Sequence, residues 1–307
     1  MRHATSLFAA LLFCFCCPAQ EPPKRPPILG IGSVSIVLPE NTGEFYSKQL
    51  GLGVDGVLCA GGCVARFGIN SHQRIELFNR KQFDLVTQKP IETNLVQATF
   101  ETSDIEALHR YLESRGVRTS DISSSGPDGD DPQFSLTDPE GHRIGFIQFK
   151  GKVRNRHSDS QVSEHLIHAG FVVKDRAAED RFYKDILGFH VYWHGGMKDG
   201  EDNWVDMQVP DGTDWIEYML GVSPNASHKT LGVMNHIALG VPDIQAAKQQ
   251  LIKNGWKGAE EPKIGRDGKW QLNLYDPDET RVELMEFKPT KEPCCSPYTG
   301  PHPGPQQ

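Results

Sequence analysis

The sequence predicts an α+β protein made of four βαβββ modules arranged as two pairs. The first observation is internal repetition. FYSKQLGL at 45–52 matches FYKDILGF at 182–189 (182 − 45 = 137), and Asp138-Pro139 matches Asp276-Pro277 (276 − 138 = 138). TSDIEALHRYLESRGV at 102–117 matches VPDIQAAKQQLIKNGW at 241–256, with Ile105 against Ile244 (244 − 105 = 139). The second is helical spacing that stops at glycine: Phe182, Tyr183, Ile186 and Leu187 before Gly188, and Ile244, Ala247 and Leu251 before Gly255. The third is alternation in short runs rich in β-branched and aromatic residues, such as WVDMQV and WQLNLY. Residues 28–150 and 163–288 are therefore two copies of one design, each with two halves that run strand, helix, tight glycine turn and further strands.

In chain order, residues 1–19 read as a cleaved secretory signal. Arg2 and His3 give a basic start, Leu7 to Cys17 is an apolar run too short to span a bilayer, and cleavage is expected near Ala19–Gln20. A lipid anchor on Cys16 or Cys17 is the alternative, but Phe13 and Phe15 are bulky for that motif. The mature protein is thus expected to be exported. Residues 20–27 (QEPPKRPP) are a proline-rich spacer. Residues 151–162 are polar and read as a linker. The tail, 289–307, is proline-rich without periodicity and is expected to be disordered. Asp138-Pro139-Glu140-Gly141 and Asp276-Pro277 are turns.

The 307 residues are 37% hydrophobic and 23% charged, enough for a core in about two domains. A net charge of −8 gives nucleic-acid or anionic-membrane binding no electrostatic support, and no further stretch is long enough to cross a membrane. After cleavage four cysteines remain: Cys59 and Cys63 around Ala-Gly-Gly, and the adjacent Cys294 and Cys295. Export permits disulfides among them, whereas an adjacent pair suits a four-cysteine zinc site poorly.

Four strands carry the residues of interest. In MNHIALGV (234–241), alternation sets Met234, His236, Ala238 and Gly240 on one face and Asn235, Ile237, Leu239 and Val241 on the other. LIHAGFVV (166–173) repeats the design with His168, while DWIEYML and TRVELMEF place Glu217 and Glu283 between apolar neighbours. The spacings agree, 217 − 168 = 49 and 283 − 236 = 47. Singly, each has an ordinary reading; Glu283, for example, could pair with Arg281 on its own face.

FY-x-x-x-LG after a first strand and DP-x(4)-VEL near the end, within tandem βαβββ units, resemble the vicinal-oxygen-chelate superfamily over residues 28–288. That superfamily includes glyoxalase I, extradiol ring-cleaving dioxygenases, methylmalonyl-CoA epimerase and fosfomycin- or bleomycin-resistance proteins. The resemblance implies a cupped sheet with ligands on the first and last strands of each module. Here those are His168, Glu217, His236 and Glu283, holding one divalent ion (Fe²⁺, Mn²⁺, Ni²⁺, Co²⁺ or Zn²⁺). A small-molecule substrate is the expected partner, and a homodimer is left open.

Three activities are implied. A glyoxalase-like lyase or isomerase would use Glu217 or Glu283 as base beside a carbonyl. An extradiol dioxygenase would use His168, His236 and Glu283, but the stretch before Tyr275-Asp276-Pro277 lacks the histidine of that signature. A resistance-type binder would hold its ligand without metal.

The first copy acts as a control. Carried back by the repeat offsets, His236 becomes Gln97, Glu283 becomes Gly145, and His168 falls near Ile31; only Glu217 keeps a counterpart, Glu76. The first copy is expected to keep the fold without the metal set. Among secondary candidates, His165, His194 and His228 lie near the site strands, with His228 in a loop. Trp204, Trp215, Trp270 and Tyr275 are candidate pocket walls. Asn225-Ala226-Ser227 fits a glycosylation acceptor.

Overall fold

The structure is a computed structural model. It describes residues 23–39, 43–58, 64–81, 93–125, 131–151 and 158–305. The expected signal at 1–19, Cys59, Cys63 and half of the linker lie outside these residues.

Two eight-stranded sheets follow one plan. The first contains β1 (Ile28–Leu38), β2 (Gly53–Leu58), β3 (Val64–Gly68), β4 (Arg74–Asn79), β5 (Leu95–Thr102), β6 (Ser123–Ser125), β7 (Asp131–Thr137) and β8 (Arg143–Ile147). The second contains β9 (His165–Val172), β10 (His190–Gly195), β11 (Trp204–Gln208), β12 (Trp215–Met219), β13 (His236–Val241), β14 (Lys263–Ile264), β15 (Trp270–Tyr275) and β16 (Arg281–Glu286). Strand order is β2-β3-β4-β1-β5-β8-β7-β6 in one and β10-β11-β12-β9-β13-β16-β15-β14 in the other. The first strands of the two modules pair antiparallel at the centre, and each pairs parallel with the last strand of its own module. This order explains the site. Residues distant in sequence but placed on first and last strands all fall on the four central strands, β12-β9-β13-β16. The two curled sheets with few helices are the expected α+β paired-module architecture.

Two helices, Ile105–Ser114 and Ile244–Lys253, occupy corresponding places. In each an aspartate caps the start: Asp104 accepts from the Ala107 N–H and Asp243 from the Ala246 N–H, both at 2.9 Å. Each buries its apolar stripe (Ile105, Leu108, Leu112; Ile244, Ala247, Leu251). The two FY segments wind as π-helical turns, Phe45–Gln49 and Arg181–Ile186, followed by Gly51 and Gly188 at positive φ. The domains exchange contacts across a shared core. The Tyr46 hydroxyl donates to Asp276 (2.9 Å) and the Tyr183 hydroxyl to Asp138 (3.3 Å), so each domain's tyrosine binds the other's Asp-Pro turn. Phe100 meets Phe189 edge to face.

Three expectations need correction. Residues 289–305 are not disordered: they strap across the second sheet. Thr299 N–H donates to the Tyr192 carbonyl (3.0 Å), Cys294 N–H to the Arg266 carbonyl (2.8 Å), and the Tyr298 hydroxyl to the Asp267 carbonyl (2.7 Å). Cys294 and Cys295 form a disulfide with each other. The tail is held by main-chain groups far away in sequence, which local composition does not report. Second, His228 begins the helix His228–Met234, capped by Ser227, so the strand starts at His236 and not at Met234. Third, the register aligns His168 with Ser33, two residues beyond Ile31. His168 faces Ala238 and Trp215, as Ser33 faces Thr99 and Arg74. Both copies bulge at this point, skipping Gly32 in β1 and Ile167 in β9, so the displacement does not come from the bulge.

Candidate metal centre

His168 and His236 meet at the middle of the second sheet, Nε2 to Nε2 at 3.1 Å. The Oε2 of Glu217 lies 3.0 Å from His236 Nε2 and 3.6 Å from His168 Nε2. Bonds of about 2.0–2.2 Å to a common ion put neighbouring nitrogen and oxygen ligands about 3–3.5 Å apart, so these three donors have the spacing of a coordination site. Glu283 stands a step off. Its Oε2 is 3.8 Å from His236 Nε2 and 3.9 Å from Arg281 Nη2, and it does not join the compact group made by His168, Glu217 and His236. The structure thus gathers three of the four expected ligands and leaves the fourth beside them, about equally far from His236 and Arg281.

Gly170 makes the room. A Cβ there would lie 2.2 Å from His236 Cε1, so no other residue fits at that register position with the imidazole in place. The His236 Nδ1 donates to the Met234 carbonyl at 3.0 Å, which leaves its Nε2 lone pair facing the site. The His168 Nδ1 is buried with no hydrogen-bond partner among the described residues, and its ring lies 4.9 Å from that of Trp215. Burial pushes both histidines well below the usual imidazole range. Glu217 opposes this at His168, while the positive charge of Arg281 adds to it at both. Two neutral imidazoles with opposed nitrogens need a proton or a cation between them. The Nη2 of Arg281, 2.5 Å from His236 Nε2, already places one positive charge there.

Sequence reasoning missed the charges around this group. Asp206 faces Glu217 across β11 and β12, and burial, then Glu217, raises its pKa well above the usual range. Lys269 is buried under the tail with its ammonium over the rings of Trp215, Tyr192 and Tyr298 at 4.7–5.2 Å; burial lowers its pKa against the pull of Asp267 and Asp206. Burial raises Glu283 to about 7 and Asp267 to about 6. Asp206 was legible as an acidic residue at an inward position of WVDMQV. Lys269 follows a polar glycine turn and carries no local signal.

A cavity of about 350 Å³ opens on this group, walled by Trp193, Trp204 and Trp215, with Lys263, Arg266 and Arg281 among its polar residues. Trp204 and Trp215 are pocket walls as expected, whereas Trp270 and Tyr275 do not line it. The secondary histidines lie elsewhere: His165 binds Asp214 (2.7 Å), His194 binds Asp202 (2.6 Å), and His228 is 3.6 Å from Asp278.

The first sheet carries Ser33, Glu76, Gln97 and Gly145 at the corresponding places. Arg66 Nε and Arg74 Nε lie 3.0 and 3.2 Å from Glu76. A Cβ on Gly145 would stand 2.6 Å from Thr99 Oγ1, which leaves no space for a fourth ligand.

Fold and site define a paired-module protein with a concave cavity lined by metal-ligating residue types. The Glyoxalase/Bleomycin resistance protein/Dioxygenase superfamily profile matches residues 165–284, which span the second domain. No curated protein matches the chain in sequence. Among solved structures it is similar to homoprotocatechuate 2,3-dioxygenase from Brevibacterium fuscum in complex with 3,4-dihydroxyphenylacetate. That match has TM-score 0.61 and 20% identity, and covers 87% of this chain and 83% of the other. It is also similar to the Arthrobacter globiformis enzyme of the same name, with TM-score 0.63 and 20% identity over 88% and 82% of the chains. At that identity the likeness concerns the fold.

Proposed function

We propose that the second domain is a divalent-metal-dependent enzyme for a small substrate with neighbouring oxygen atoms, bound in the tryptophan-walled cavity. The observation that carries this is the convergence of His168, His236 and Glu217 from three strands at ligand spacing, with a second carboxylate, Glu283, alongside. Two imidazoles and carboxylate oxygens suit Fe²⁺, Mn²⁺, Ni²⁺, Co²⁺ or Zn²⁺. Such an ion supplies Lewis acidity at a substrate oxygen. The chain's own residues do the rest. His168 and His236 offer neutral nitrogens. Trp193, Trp204 and Trp215 exclude water. Arg281 balances the charge of Glu283. Glu283, raised to about 7, can take up and return a proton near neutrality.

Two reactions fit this frame. Proton transfer beside a carbonyl, as in a lyase or isomerase, is favoured by the pair of carboxylates in one pocket. Extradiol-type ring cleavage is favoured by the likeness of the whole four-module chain to ring-cleaving dioxygenases. Protein purified without chelator, beside a His168→Ala/His236→Ala double variant, tests both. Metal retention with turnover of a hemithioacetal supports the first, and a coloured ring-cleavage product from a catechol in air supports the second. Equal activity in the double variant would refute the metal site. Ligand affinity that survives metal removal, without turnover, would make the protein a binder. Export through residues 1–19 belongs to the proposal, and a secreted chain beginning at Gln20 is the expected result of N-terminal sequencing.

A further inference from the structure

We propose that Asp138, His142 and Glu179 form a second divalent-cation site, where the Asp-Pro turn of the first domain meets the helix Arg176–Asp180 of the second. One donor atom from each lies within 4.8 Å of the others. Asp138 and Glu179 are buried, Glu179 with 0% exposure. The Oε1 of Glu179 accepts from the Glu140 N–H at 2.9 Å, whereas Oε2 is buried with no hydrogen-bond partner among the described residues. The hydroxyl of Tyr218, which feels the charge of Glu179, is also buried and unpartnered among them.

The pseudo-equivalent junction shows what is unusual. There the Asp276 carboxylate is filled by the protein itself: the Asp278 and Thr280 N–H groups donate to Oδ1 and the Tyr46 hydroxyl to Oδ2, each at 2.9 Å. Thr280 stands where His142 stands, so that junction has no imidazole. At Asp138 the acceptors go to the His142 N–H and Nδ1, both at 2.8 Å, and more weakly to Tyr183 at 3.3 Å. Two carboxylates are thus buried against one imidazole, with an oxygen left over. An unpaired charge in such a place is disfavoured unless a proton or a cation joins it. Oxygen donors with a single imidazole select borderline ions such as Zn²⁺ or Mn²⁺ over Ca²⁺. His142 lines a surface cleft on one side of the cluster and Asp138 another, so an ion has a way in. The site is independent of the central group and ties the domains together.

The test is zinc stoichiometry of the chelator-stripped full chain, measured by mass spectrometry after gel filtration. Two equivalents are expected in the wild type, one in Glu179→Gln, one in His168→Ala/His236→Ala, and none in the combined variant. If the central site fails to bind, the wild type holds one equivalent that Glu179→Gln removes and the double histidine variant keeps, which still supports the junction site. Unchanged stoichiometry in Glu179→Gln, or none in the histidine variant, overturns it. Anomalous diffraction at the zinc edge from wild-type crystals needs no variant. A peak between Asp138 and Glu179 is expected, and its absence at saturating zinc overturns the proposal.

Discussion

The two sheets share strand order and register yet solve the same electrostatic problem in opposite ways. Each has one glutamate on the last strand of its first module, Glu76 or Glu217, at the same place. In the first sheet Arg66 occupies the position of Asp206, and Arg74 that of Trp215, so two guanidiniums close around Glu76. In the second, Glu217 faces Asp206 and two histidines, and Glu283 stands where the first sheet has Gly145. One cup supplies its cations from its own chain. The other gathers acids and imidazoles beside Arg281 and Lys269, and leaves two imidazole nitrogens and a Glu217 oxygen together at ligand spacing. One scaffold's central strands thus tolerate both arrangements.

The widest gap between the sheets is expected from Gly170→Ala. The added Cβ overlaps the His236 ring, and metal affinity should fall by about 10–100-fold, as for loss of orienting contacts; equilibrium dialysis reads it. The matching change in the first sheet, Ser35→Ala, should leave metal binding unaltered. Next, Arg66→Met should destabilise the protein by about 3–5 kcal/mol in urea unfolding, because it strips a partner from a largely buried carboxylate. Asp206→Asn, at the same register position, should instead stabilise the metal-free protein.

The pH response follows from Glu283. Its folded pKa, about 7, exceeds the ordinary carboxylate value of 4.5, so the folded state binds the proton more tightly. That contribution is present below about pH 4.5 and is lost as pH rises through about 7, worth up to about 3 kcal/mol. Metal-free protein should therefore lose stability across that window. Glu283→Gln should flatten the loss, and saturating metal should oppose it; thermal melts at stepped pH check all three. The smallest effect concerns the tail. Tyr298→Ala should cost about 1–3 kcal/mol by uncovering Lys269 and Tyr192. Reducing Cys294–Cys295 should cost under about 1 kcal/mol, since a bridge between adjacent residues closes almost no loop.

Much of the fold was legible because a repeated module repeats its punctuation: the FY segment, the Asp cap and the Asp-Pro turn recur at fixed offsets. The positions of His168, Glu217, His236 and Glu283 were legible for the same reason. What local pattern did not carry were contacts with long sequence separation. Lys269 is defined by aromatic rings from β10, β12 and the tail, and the tail by the carbonyls of Arg266, Asp267 and Tyr192.

By itself the sequence determined the duplicated α+β modules, the strands that bear the two histidines and two glutamates, and the loss of that set from the first copy. These are consequences of periodicity and repetition, which act over a few residues. Only the tertiary structure decided that three of the four donors meet while Glu283 stands a step off between His236 and Arg281, that the proline-rich tail is a strap, and that Asp138 and Glu179 are buried together between domains. Those outcomes depend on which strands lie side by side and on how much water is excluded between them, and both are set by the packed chain as a whole.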